Sequence, residues 1–145
     1  MTSPSFKELL DFYRHLSPST LPQLARFYDS EACFKDPFNE VQGLAAIEKI
    51  FQHMFAALEQ PRFKIIRALA NDPEGHTSAF VTWVFEFSRA GQDFAIRGVT
   101  EFDFNPQGQI TRHRDYWDAA EELYAKLPLL GWPVRWLAKQ LSSVK

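Results

Sequence analysis

Cysteine is nearly absent, with Cys33 alone in 145 residues. A single thiol cannot form an internal disulfide or a cysteine-built metal site, and no metal or organic cofactor is expected. Runs of like charge are missing too: 16 basic and 18 acidic side chains are interspersed and leave a formal net charge of -2. That excludes the basic face a nucleic-acid partner needs and favours a small or neutral ligand. The chain holds no transmembrane-length apolar run, no internal repeat and no low-complexity tract. The opening Met1-Thr2-Ser3-Pro4 lacks the basic and apolar regions of a signal peptide, so a cytoplasmic protein with no membrane partner is expected.

Aromatic carbon is abundant. Phe, Trp and Tyr make up 15% of the residues, 14 of them phenylalanine, which suits either a packed core or the wall of an apolar cavity. The length fits one domain over residues 1–145, with a core over about 5–125 and an apolar tail over about 126–145.

Helical spacing comes first. Phe6, Leu9, Leu10, Tyr13 and Leu16 recur at helical intervals behind a Ser5-x-x-Glu8 capping box, which puts Tyr13 on the buried stripe. A second helix is expected from Thr20, carrying Leu21, Leu24, Ala25 and Tyr28 inward before a break near Asp29-Ser30. In Ala32 to Phe38 the proline of Asp36-Pro37 biases Asp36 toward extended backbone, so Asp36 belongs to a short strand or a turn. Gly43 opens a third helix with Ile47, Ile50, Phe51, Met54 and Leu58 on one face.

From Pro61 the period changes to two. Phe63, Ile65, Arg67 and Leu69 alternate with polar or small residues, and Ala79, Val81, Trp83, Phe85 and Phe87 repeat the pattern. In a third strand Phe94, Ile96, Gly98, Thr100, Phe102 and Phe104 face one side, with Asp93, Arg97, Glu101 and Asp103 on the other. Asn105-Pro106-Gln107-Gly108 turns the chain into a fourth strand, Ile110 to Trp117. Three helices followed by an antiparallel meander read as α+β, with helices on one side of a curved sheet. The last strand is costly to bury, because His113 and Asp115 share a face; they line a pocket or point at solvent. Together they supply two potential metal ligands at most, too few for a metal site.

The order helix, helix, Asp36-Pro37, helix, four strands, with Arg114-Asp115-Tyr116-Trp117-Asp118 after a Gly-turn hairpin, resembles the SnoaL-like branch of the nuclear transport factor 2-like superfamily. The resemblance implies a cone-shaped roll: a strongly curved, mainly antiparallel sheet packed on three N-terminal helices, with an apolar pocket inside and here a C-terminal helical tail. Ketosteroid isomerases of this superfamily would make Asp36 the proton-moving base and Tyr13 the donor to a forming enolate. Thr100 stands where those enzymes carry a protonated aspartic acid, and it can still donate a hydrogen bond. Limonene-epoxide-type hydrolases have an aspartate at a place similar to Asp115, but the arginine and aspartate expected near Val81-Thr82-Trp83 are missing. Polyketide cyclases pair an aspartate on this strand with a nearby histidine or arginine, a pattern that Asp115 and His113 match.

The resemblance thus implies catalytic roles for Asp36, Asp115, Tyr13, His113 and Thr100, and ligand contacts from Trp83, Phe85, Phe102, Phe38 and Trp117. The ligand would be apolar and polyketide-, steroid- or terpenoid-like, isomerised, cyclised or dehydrated by aspartate acid-base chemistry. A carrier module for a lipid-like molecule and a dimeric interaction domain are the alternatives. The plain structural readings stand beside these: Asp36 as a turn former, Tyr13 and the rings as core, Asp118 as the cap of a helix from Ala119 to Lys126, and His53 on or near the surface. The tail Leu127 to Leu137 reads as an apolar flap that covers the pocket mouth or a two-fold contact, so a homodimer is expected.

Overall fold

The computed structural model describes residues 3–71, 77–124 and 131–141. The first helix, α1 (Phe6–Arg14), starts at the expected box: Ser5 Oγ accepts from the Glu8 amide at 3.1 Å, and Glu8 Oε2 accepts from the Ser5 amide at 2.7 Å. Leu9, Phe12 and Tyr13 are its buried face.

The second helix differs from expectation. A 3-10 turn over Pro18–Gln23 runs into a single α turn, α2 (Leu24–Phe27), and Tyr28 already belongs to strand β1 (Tyr28–Lys35). Proline at the first position favours an earlier start, and Thr20 lies inside the turn, its Oγ1 accepting from the Ser17 amide at 2.9 Å. Pro22 inside the turn removes a donor, which keeps the segment from growing into an α-helix. Ala25 is exposed. Of three expected N-terminal helices, two are of ordinary length.

Strand β1 turns at Asp36 into the three-residue β2 (Glu40–Gln42), and helix α3 (Leu44–Ala57) follows Gly43, whose φ of 99° suits glycine. The sheet continues with β3 (Glu59–Ala70), β4 (Ser78–Arg89), β5 (Gln92–Phe104) and β6 (Ile110–Tyr116). Its spatial order is β2-β1-β6-β5-β4-β3, antiparallel throughout except that β1 runs parallel to β6. This is a curved α+β sheet of six strands, where alternation had indicated four. Helices α1 and α3 cover its inner face against β1 and β3.

Alternation also fails once inside β3. Ile65 pairs with Trp83 but Arg67 with Thr82, so Ile66 is an extra residue, a bulge. Beyond it the faces swap: Ala68 turns inward, while Ile66 and Leu69 are 60% and 64% exposed. A glycine has the opposite effect on β5, where it admits a neighbour. Trp83 lies directly across from Gly98, and a Cβ at residue 98 would sit 2.3 Å from Trp83 Cη2. The indole fills the space a side chain would occupy.

After β6, Asp118 Oδ1 accepts from the Glu121 amide at 3.0 Å and caps the short α4 (Ala119–Glu122); Lys126, the expected helix end, lies outside the described residues. So do residues 127–130 of the expected flap. Helix α5 (Gly131–Leu141) leaves Trp132, Trp136, Leu137 and Leu141 each more than half exposed.

Candidate functional site

β6 carries the expensive side chains inward. His113 is buried among rings, with Phe34 at 4.5 Å and Phe102 at 5.0 Å between centroids, and every polar atom of its imidazole is engaged. Nε2 lies 2.8 Å from Asp115 Oδ1, and Nδ1 lies 2.7 Å from the Tyr28 hydroxyl and 3.4 Å from that of Tyr13. The two tyrosine hydroxyls bond each other. On the other side Thr100 Oγ1 donates to Asp115 Oδ1 at 2.5 Å, and Trp83 Nε1 donates to Thr100 Oγ1 at 2.8 Å.

These bonds have one direction. An ionised carboxylate only accepts, so His113 donates through Nε2 and its Nδ1 lone pair accepts from Tyr28. Tyr28 in turn accepts from Tyr13. Indole and hydroxyl on one side, two phenols and an imidazole on the other, all end at Oδ1 of Asp115. Burial pushes the Tyr13 and Tyr28 phenols well above the ordinary tyrosine range, with the Asp115 charge adding to it. Both therefore stay protonated at neutral pH and keep donating.

Oδ2 of Asp115 makes no hydrogen bond among the described residues and is the carboxylate atom left to work. Asp115 lines two spaces. One is an interior cavity of about 20 Å³ that it shares with Tyr13, Trp83, Thr100, Phe102 and His113. Such a volume holds about one water, whereas small-molecule sites occupy about 300–1,000 Å³. The roomy hollow expected of the cone is filled here by side chains, among them Trp83 and Phe63, in edge contact at 5.5 Å between ring centroids. Phe85 packs against Phe63 and Phe87, away from the cavity.

The other space is an open cleft of about 560 Å³ bounded by Lys35, Asp36, Pro37, Arg114, Asp115, Tyr116, Trp117 and Asp118. It forms where the parallel neighbours β1 and β6 end together and their chains part, a place antiparallel neighbours joined by tight turns do not provide. Asp36 and Asp115 thus meet at this cleft, and Tyr13 does not reach it. Asp36 also holds its own turn together, since its Oδ1 accepts from the amides of Phe38 at 2.8 Å and Asn39 at 2.7 Å and from Asn39 Nδ2 at 3.1 Å. That is the turn-forming geometry. Phe38, 54% exposed, packs edge-on against Trp117 at 5.5 Å.

Tyr28 is hidden from sequence patterning because its spacing continues the helical stripe. Only the parallel pairing of β1 with β6 brings it to His113. Arg112 and Arg114 point away from the interior, as alternation requires; Arg112 bonds Glu101 Oε1 at 2.9 Å, and the Arg114 guanidinium lies 4.6 Å from the Tyr116 ring centre. His53 is exposed. No group of three or more His, Cys, Asp or Glu among the described residues is arranged to hold a metal. No helix among them is long and apolar enough to cross a membrane.

Residues 9–113, carrying Tyr13, Tyr28, Trp83, Thr100 and His113, match the SnoaL-like domain family. The chain belongs to that family. No curated protein matches the chain in sequence. Among solved structures, this SnoaL-like protein is similar to a Catenulispora acidiphila protein of ketosteroid isomerase-like fold in complex with trimethylamine, at 17% identity and TM-score 0.69 over 92% of this chain and 98% of that one. A putative polyketide cyclase of Xanthomonas campestris pv. campestris gives 22% identity and TM-score 0.66 over 78% and 89%. An epoxide hydrolase/cyclase-like enzyme with a role in pyran ring formation in the polyether salinomycin gives 18% and 0.64 over 76% and 87%. At these identities the likeness establishes the SnoaL-like fold alone.

Proposed function

We propose that this SnoaL-like protein is a proton-transfer enzyme in which Asp115 is the acid-base group and His113 its positioning partner. The supporting observation is the chain of donors that ends on Asp115 Oδ1 and leaves Oδ2 without a hydrogen bond among the described residues, on a residue that lines the open cleft. Two donors on one oxygen fix the carboxylate plane, which is the preorganisation proton abstraction needs. Oδ2 takes a proton from a carbon beside a carbonyl, the electron pair moves onto the carbonyl oxygen, and the acid so formed returns the proton to another atom. Return of the proton to another carbon isomerises an apolar, ring-bearing ligand; its transfer to a β-hydroxyl that leaves as the enolate collapses releases water, and attack of the enolate on a second carbonyl, whose oxygen takes the proton, closes a ring.

A lipid carrier fits less well, since an interior of about 20 Å³ leaves no room for a lipid-like guest. A free, exposed Cys33 is consistent with a reducing, cytoplasmic setting. The exposed Trp132, Trp136 and Leu137 support pairing with a second copy. Sedimentation should accordingly give a dimer for the full chain and a monomer for Trp136→Ser; a full chain that sediments as a monomer removes the homodimer.

The acid-base reading is tested with 2-tetralone in deuterium oxide, following loss of its α-proton signal by NMR. Asp115→Asn keeps an acceptor for Thr100 and His113 and removes the base, so exchange should fall by about 100-fold or more toward the buffer rate. An Asn variant that exchanges as fast as the parent protein would eliminate Asp115 as the base.

A further inference from the structure

Of the ionic groups at the cleft, most are already committed. Lys35 Nζ pairs with Glu40 at 3.2 Å, Asp36 is held by its turn, and Asp118 caps α4. Arg114 is the exception. Its neighbours in register are Lys35 on β1 and Glu101 on β5, but Glu101 Oε1 is taken by Arg112 at 2.9 Å and by the Tyr116 hydroxyl at 3.2 Å. Among the described residues Arg114 has no carboxylate partner. Its guanidinium instead lies over the Tyr116 ring at 4.6 Å. Because Glu101 fixes the hydroxyl of that ring, the ring is a platform that holds the planar fork in place with its donors uncommitted.

We propose that Arg114 binds the carboxylate of an organic acid whose apolar, ring-bearing body lies along Trp117 at the mouth of the cleft. The inference rests on the reading above of the cleft as the way to Asp115 and names the class of molecule that enters. A planar fork matches a carboxylate through two parallel hydrogen bonds, which a point charge such as lysine cannot reproduce. A phosphate is disfavoured because Asp36, Asp115 and Asp118 border the same cleft and repel a dianion more than a monoanion. The anchoring bond is also the selective one: a neutral analogue of the same shape leaves the guanidinium donors without an acceptor.

The probes are 2-naphthoate and its neutral counterpart 2-naphthamide, titrated into the full chain and followed at the Trp117 indole and Arg114 Nε–H resonances. Naphthoate should bind at least about tenfold more tightly than naphthamide. Arg114→Gln should erase that preference, and Arg114→Lys, which keeps the charge but not the fork, should retain only part of it. The spectrum of each variant reports its folding directly, and the lysine variant keeps the test valid if the glutamine variant does not fold. Equal affinity for the two probes, an undiminished preference in Arg114→Gln, or no naphthoate binding up to about 10 mM overturns the carboxylate site. Asp115→Asn should still bind naphthoate. Binding intact with no exchange of tetralone or of its 6-carboxylate, which offers the fork its acceptor, therefore defeats the acid-base reading alone, and tetralone exchange intact with naphthoate binding absent defeats the carboxylate site alone.

Discussion

Gly98→Ala is expected to destabilise the protein by about 2–3 kcal/mol, an overpacking cost, although alanine suits a strand better than glycine. The new methyl carbon would fall 2.3 Å from Cη2, 2.6 Å from Cζ2 and 2.8 Å from Cζ3 of Trp83. The indole cannot retreat freely, because its Nε1 is held to Thr100 and its ring packs at right angles to Phe63 at 5.5 Å. For a chain of this size the melting temperature should drop by about 5–10 °C. Trp83→Phe removes the atoms that clash at the expense of the bond to Thr100, so in the double variant the two losses should not add, falling short of their sum by about 1–2 kcal/mol. Urea unfolding of the four proteins measures this coupling. Additive losses, or a neutral Gly98→Ala, would show that Trp83 does not rest on the bare backbone of residue 98, and with it would go the account of why the interior is full.

High pH should unfold the protein through its two buried phenols. Tyr13 and Tyr28 are 7% and 1% exposed, and burial raises both above their ordinary value. A raised acid pKa in the fold means that the native state keeps protons the unfolded chain releases. The corresponding stability is fully present below about pH 10, where unfolded tyrosine is still protonated, and drains away as pH rises above it. The slope is about 1.4 kcal/mol per pH unit for each phenol, so about 2.7 kcal/mol per unit while both stay neutral in the fold. Urea midpoints measured between neutral pH and about pH 11.5 should be flat at first and then fall steeply. Tyr13→Phe or Tyr28→Phe should each roughly halve the alkaline slope. An unchanged slope in both variants would mean that other groups carry the transition. Tyr28→Phe also takes the closest donor from His113 Nδ1, leaving Tyr13 at 3.4 Å as the remaining hydroxyl within reach.

Local patterns in the sequence were enough for much of this structure. The Ser5-x-x-Glu8 box, the helix after Gly43 and the alternation of β4, β5 and β6 are set by neighbours within a few residues, so spacing reveals them. The same alternation sufficed to place His113 and Asp115 on one face with Arg112 and Arg114 on the other. What spacing does not carry is which strands meet. The parallel contact of β1 with β6 joins segments about 80 residues apart, and loop closure over that distance leaves no periodic trace in either segment. That contact turns Tyr28 from a supposed helix residue into the donor for His113, and it opens the cleft where Asp36 and Asp115 meet. The Ile66 bulge and the seat of Trp83 on Gly98 likewise arise only when two strands are laid side by side, because each is a misfit between partners that are regular on their own. Side-chain identities thus determined which groups had to be buried or exposed, while pairing across the sheet decided which of them face one another across hydrogen-bonding distance.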